Sequence, residues 1–113
     1  MSRIINIPSP ISPIDLQGRP LANNDGKLVE PITFETYVKE RAFDIDRIKD
    51  FEGLYRAYEI CRGIEKAQGA WEITEANWKH LVTSIENPTG GYLPWAWNLI
   101  PFARAILDAK PVL

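Results

Sequence analysis

Proline placement constrains this chain more than any other feature. Five of its nine prolines, Pro8, Pro10, Pro13, Pro20 and Pro31, fall within the first 31 of its 113 residues. Each fixes its own φ and removes a backbone donor, so no helix runs through this stretch. The close spacing of Pro8, Pro10 and Pro13 favours an extended, polyproline-like arm. Two turn signals follow, Gln17-Gly18 and Asp25-Gly26. Asp-Gly is a strong hairpin dipeptide because both residues tolerate positive φ. With short strands around residues 14–16 and 27–30, residues 1–31 read as an N-terminal Pro-rich arm carrying a small β-hairpin.

Beyond Pro31 the period becomes helical, and residues 32–113 read as a helical domain. Phe34, Tyr37, Val38, Arg41, Ala42 and Ile45 follow helical spacing, with Thr33 placed as N-cap of a helix over about 33–43. A second helix is expected over 47–67. Glu52, Arg56, Glu59, Gly63 and Lys66 form one narrow polar stripe on it, and almost everything else is apolar, which calls for neighbours on several sides. Gly53 and Gly63 each disfavour this helix by roughly 1 kcal/mol relative to Ala, a cost that close crossings would offset. The third helix opens at Thr74, with Ile73 and Trp78 placed as a hydrophobic staple, and stops at Asn87-Pro88. A last helix is expected over 101–109. The fold class is therefore mainly α: an extended arm with a small hairpin, then a compact bundle of about four helices. No internal repeat or low-complexity tract stands out.

Composition narrows the function classes. An apolar fraction of 45% and a charged fraction of 25% are ordinary for a globular domain and argue against wholesale disorder. A net charge of −2 is too small for a basic nucleic-acid footprint or an acidic imitation of one. No run approaches a membrane span, and one cysteine staples nothing internally. The expectation is a small cytosolic domain with no nucleic acid and no membrane among its partners.

Nor do the reactive residues assemble into chemistry. His80, the single histidine, falls opposite Trp78, Leu81 and Ile85 with no nucleophile or orienting acid beside it, and reads as a surface residue. Cys61 sits in the apolar part of the second helix and reads as a buried structural thiol. Asp44, Asp46, Asp50 and Glu52 lack the loop spacing of a calcium site and suit a helix N-terminus instead. Gly90-Gly91 lacks a phosphate-loop pattern. No catalytic, cofactor or metal residues are expected, and the chain reads as non-enzymatic. Trp95 and Trp97 on a Pro-bounded segment with Tyr92 either cap the core or anchor a partner. Ile11 and Pro13 lie in an arm that either drapes over a neighbouring subunit or is a disordered leader. The candidate partner-binding residues are therefore Ile11, Pro13, Tyr92, Trp95 and Trp97.

Four stretches together resemble a loose group of small phage proteins encoded among virion-assembly genes. They are Asp15-Leu16-Gln17-Gly18-Arg19-Pro20-Leu21, Asp25-Gly26-Lys27 leading to Glu30-Pro31-Ile32-Thr33-Phe34, Leu54-Tyr55-Arg56-Ala57-Tyr58-Glu59-Ile60, and Trp71-Glu72-Ile73-Thr74-Glu75. The aromatic run 95–97 and the proline arm depart from that pattern. The resemblance carries no catalytic residues. It implies a phage protein that binds other proteins, a structural protein of the virion first among them, in the host cytoplasm or in the virion itself. Self-association is left open. The alternative is a small inhibitor of a host defence protein.

Overall fold

The computed structural model describes residues 1–44, 48–88, 91 and 94–112, with Pro94 and Trp95 described by backbone alone. Ile45, Asp46, Tyr92 and the Trp95 side chain, all invoked above, lie outside the described part. Four α-helices pack with a small antiparallel sheet of three strands in the order β2-β1-β3. The helical expectation thus holds in coarse form, while the sheet was not foreseen.

The sheet corrects the reading of the extreme N-terminus. Residues 2–6 are its central strand, β1 (Ser2–Asn6), rather than part of an extended arm. β1 pairs along its whole length with β2 (Ala70–Thr74), from Ser2 opposite Thr74 to Asn6 opposite Ala70. On its other edge it pairs with β3 (Lys110–Pro111). β2 alternates strictly, with Trp71 and Ile73 buried and Ala70, Glu72 and Thr74 exposed. Period-2 alternation puts Trp71 and Ile73 on one face with Ile5, which is fully buried directly opposite Trp71.

The helices form where local chemistry places them. α1 (Phe34–Ala42) starts at Thr33, whose hydroxyl accepts the Thr36 N–H at 3.1 Å. α2 (Phe51–Lys66) starts at Asp50, whose Oδ1 accepts the Gly53 N–H at 2.8 Å. It therefore begins four residues later than periodicity suggests. α3 (Glu75–Glu86) is capped by Thr74 through the Asn77 N–H and ends at Asn87. A 3-10 turn, Pro94–Leu99, leads into α4 (Ile100–Leu107), with Pro101 in its first turn where a missing N–H costs nothing. Phe34 and Tyr37 of α1 meet Phe102 of α4 at ring separations of 5.5 and 5.6 Å. Ala57, Ile60, Cys61 and Ile64 form the inner face of α2. Gly63 serves a close approach: a Cβ there would come within 3.0 Å of Trp71 Nε1, so α2 lies directly on β2 at this point.

Residues 11–32 fold into two consecutive hairpins, with Asp15–Arg19 and Asn23–Lys27 making the same turn eight residues apart. In each, the first residue's carbonyl accepts the glycine N–H at 3.0 Å, from Gly18 or Gly26. Its side-chain oxygen accepts two further N–H groups, Gln17 and Arg19 in one turn, Asp25 and Lys27 in the other, at 2.9–3.0 Å. Gly18 and Gly26 have φ of 82° and 78°, whereas no other residue type has positive φ among the described residues. The turns are thus not the two-residue kind expected of Asp-Gly. Each is a tight turn closed by a left-handed glycine bulge. The recurrence is a small internal repeat that the sequence reading missed, because Asp and Asn, or Arg and Lys, do not look alike as letters.

Candidate protein-contact surfaces

The base of the double hairpin is closed by reciprocal bonds between Ile11 and Ile32, N–H to carbonyl in both directions at 2.9 and 2.7 Å. Both side chains pack against the core. Leu21 belongs to both hairpins, donating to Pro13 O at 3.1 Å and accepting from Val29 N–H at 2.9 Å. At Asp15, the backbone N–H of Arg19 foremost holds the carboxyl below its usual range. The ribbon is thereby ordered by its own hydrogen bonds, and its tips stand in water.

One buried side chain fastens this ribbon to the C-terminal third. Asn98, 8% exposed, accepts the Ile14 N–H on Oδ1 at 3.1 Å and donates Nδ2 to the Ile14 carbonyl at 3.0 Å. A primary amide matches a peptide group in this bidentate way, and Asn98 takes the place of a neighbouring strand. The two stretches singled out from sequence, the proline arm and the aromatic segment, are therefore adjacent in space. Of the five candidates, Pro13 is buried, Ile11 is half-buried, and Trp97 is 40% exposed beside Asn98. Ile100 is 55% exposed two residues beyond the clamp, and Leu16, two residues beyond Ile14, is 83% exposed. Asn98 was not singled out, and a lone asparagine among aromatics carries no sequence signal of this role.

A second apolar surface lies on α2. Phe51, Leu54, Tyr55 and Tyr58 are exposed, although the sequence reading counted them in a face needing cover. The helix is rolled so that the aromatic row points outward, while Arg56 and Gly63 of the supposed polar stripe are half-buried. Arg56 turns inward because it reaches Asn77 Oδ1 at 3.4 Å while holding Glu52 at 2.9 Å.

The reactive residues serve the fold. His80 is half-buried rather than on the open surface, because Nε2 donates to the Ala42 carbonyl at 3.0 Å and so ties α3 to the end of α1. Ser84, one turn along, is almost fully buried and donates to Asp44 Oδ2 at 3.4 Å. They share a shallow groove of about 340 Å³ with Arg41, Arg56 and Lys79. There Ser84 donates to the Asp44 carboxylate, and the imidazole donates from Nε2 to a backbone carbonyl. Cys61 is free and buried, and burial foremost pushes its thiol pKa up.

Arg3 locks the sheet to the helices. Its guanidinium meets both Glu75 oxygens at 2.8 and 3.1 Å, donates to Ala109 O at 2.9 Å and stacks 3.7 Å from the Trp78 ring centre. Trp78 Nε1 in turn donates to Ile106 O at 2.7 Å. The Arg3 hydrogen bonds foremost hold the Glu75 carboxyl below its usual range. Among the described residues, no helix is long and apolar enough to cross a membrane. Comparison with protein-family models, with curated proteins and with solved structures returns no match.

Proposed function

We propose that this chain is a non-enzymatic phage accessory protein that acts by protein–protein contact in assembly of the virion head or tail. It works in the host cytoplasm or as part of the particle. The observation that carries the contact reading is the Asn98 clamp on Ile14, which joins ribbon and 3-10 turn into one ordered surface. Leu16, Trp97 and Ile100, each within two residues of the clamp along the chain, present apolar area to solvent. Ordered aromatic side chains on a rigid support are the usual anchors of a protein interface, because little conformational entropy is lost on binding. The assignment to virion assembly rests on the four sequence stretches that resemble small phage proteins.

Affinity capture of the tagged protein from a lysate holding both phage and host proteins, read by mass spectrometry, tests this reading. Capsid or tail components should be recovered by the wild type and lost with Trp97→Ala or Leu16→Ser. Recovery of a host nuclease or defence complex in their place would overturn assembly and favour an inhibitor.

A further inference from the structure

The aromatic row of α2 is a separate surface with its own logic. Phe51 is 78% exposed, Tyr55 51% and Tyr58 55%, with Leu54 beside them at 46%. Successive rings stand 6.4 and 6.2 Å apart, forming a continuous strip along the helix. With Arg62 and Glu65, both solvent-facing, the positions 51, 55, 58, 62 and 65 alternate steps of four and three. That is the seam spacing by which one helix packs along another. The inner face of α2 is filled by its own core. At the C-terminal end of the seam Arg62 pairs with Glu65 at 3.7 Å and Glu65 with Lys39 of α1 at 3.4 Å, which leaves the aromatic positions 51, 55 and 58 open to a second helix.

We propose that its occupant is α2 of a second copy of this chain, packed antiparallel about a two-fold axis between Tyr55 and Tyr58. Charge and shape select this arrangement. Across such an axis Tyr55 meets Tyr58 of the second copy, and Phe51 lies against the Arg62 guanidinium, each contact occurring twice. On one flank Glu52 comes opposite Lys66 of the second copy, and on the other Leu54 meets Leu54. A parallel pair would instead set Arg62 on Arg62 and Glu65 on Glu65. Antiparallel helices also place opposite dipole ends together. One repulsive contact remains, Glu59 facing its own copy on the Glu52 flank. The exposed parts of the four apolar side chains amount to about 450 Å² per copy, or about 900 Å² for the pair. That lies at the small end of specific interfaces, so the dimer is a weak one. This inference goes beyond the proposed virion contact and uses a different surface.

Analytical ultracentrifugation of the purified full chain decides it without any phage or host partner. The weight-average mass should rise from 12.9 kDa toward twice that value across the micromolar range. Tyr55→Ser with Tyr58→Ser should stay monomeric throughout with an unchanged circular dichroism spectrum, since both side chains stand outside the core. Arg62→Glu should weaken the dimer, and Glu59→Gln should tighten it by roughly threefold by removing the like-charge contact. A wild type that stays monomeric at every concentration, or a dimer that survives the double serine variant, would overturn the proposal. Neither result bears on the capture experiment, which reads a different surface.

Discussion

Residues 1–7 and residues 11–32 share one arm in the sequence, yet they do opposite jobs. The first segment has no hydrogen bonds of its own and is held on both edges by β2 and β3, chain neighbours about 70 and 106 residues away. Its Ile5 is fully buried, so the global fold depends on it. The second segment carries its own turn bonds and rests on the domain through the Ile11–Ile32 base and the Asn98 clamp. A segment that satisfies its own backbone can stand out in water as a binding element. One that is buried without internal bonds must find its backbone partners elsewhere, as β1 does in β2 and β3.

Substitutions can break or sharpen that contrast. The largest effect is expected from Ile5→Ala, which leaves a cavity against Trp71 and should lower global stability by about 2–5 kcal/mol in urea unfolding. Arg3→Met comes next, because it removes the bond to Ala109 and the Glu75 pair together. A drop in Tm of a few degrees is expected at neutral pH. Glu75 binds its proton less readily in the folded state, so its contribution is present above the ordinary glutamate range and is lost as pH falls through its depressed folded value. The gap in Tm between wild type and Arg3→Met should therefore narrow as the pH falls below the usual glutamate range. A gap that stays constant with pH would show that Arg3 acts through Ala109 and Trp78 alone.

In the ribbon the effects should be smaller and local. Asn98→Ala strips partners from Ile14 N–H and C=O at once, and about 1–3 kcal/mol is expected. Faster amide hydrogen exchange at residues 13–21, with little change at β1, would place that loss in the ribbon. Gly26→Ala meets no atom within 4 Å, so its cost is confined to the left-handed backbone, about 1 kcal/mol. It should show as exchange at residues 23–29 with global Tm nearly unchanged. A large global effect from either would mean that ribbon and core unfold as one unit.

Legibility in the sequence followed the range of the interaction. Thr33, Thr74 and Asn87-Pro88 were readable because caps and breaks act within four residues. The double hairpin was half readable: the glycines marked the turns, but their geometry came from side-chain bonds of Asp15 and Asn23. β1 was hidden because a five-residue strand has no signal apart from its partners. On α2 helical spacing showed which residues share a face, while only packing against α1, α3 and β2 decided that Ala57, Ile60, Cys61 and Ile64 turned inward. For the contact surface, Trp97 was read from its residue type, while Asn98 carries no such mark.

By itself, the sequence determined where α1 and α3 begin, where α3 stops, that the first third is non-helical, and that two turns close on glycine. Those outcomes rest on φ restriction and on hydrogen bonds between near neighbours, which act before any tertiary contact exists. Tertiary structure alone decided that residues 2–6 are the middle of a sheet, that Asn98 clasps Ile14, and that Phe51, Tyr55 and Tyr58 face water. The physical reason is that burial is shared. α1, α3 and β2 cover one side of α2, and which residues stay outside depends on every element at once.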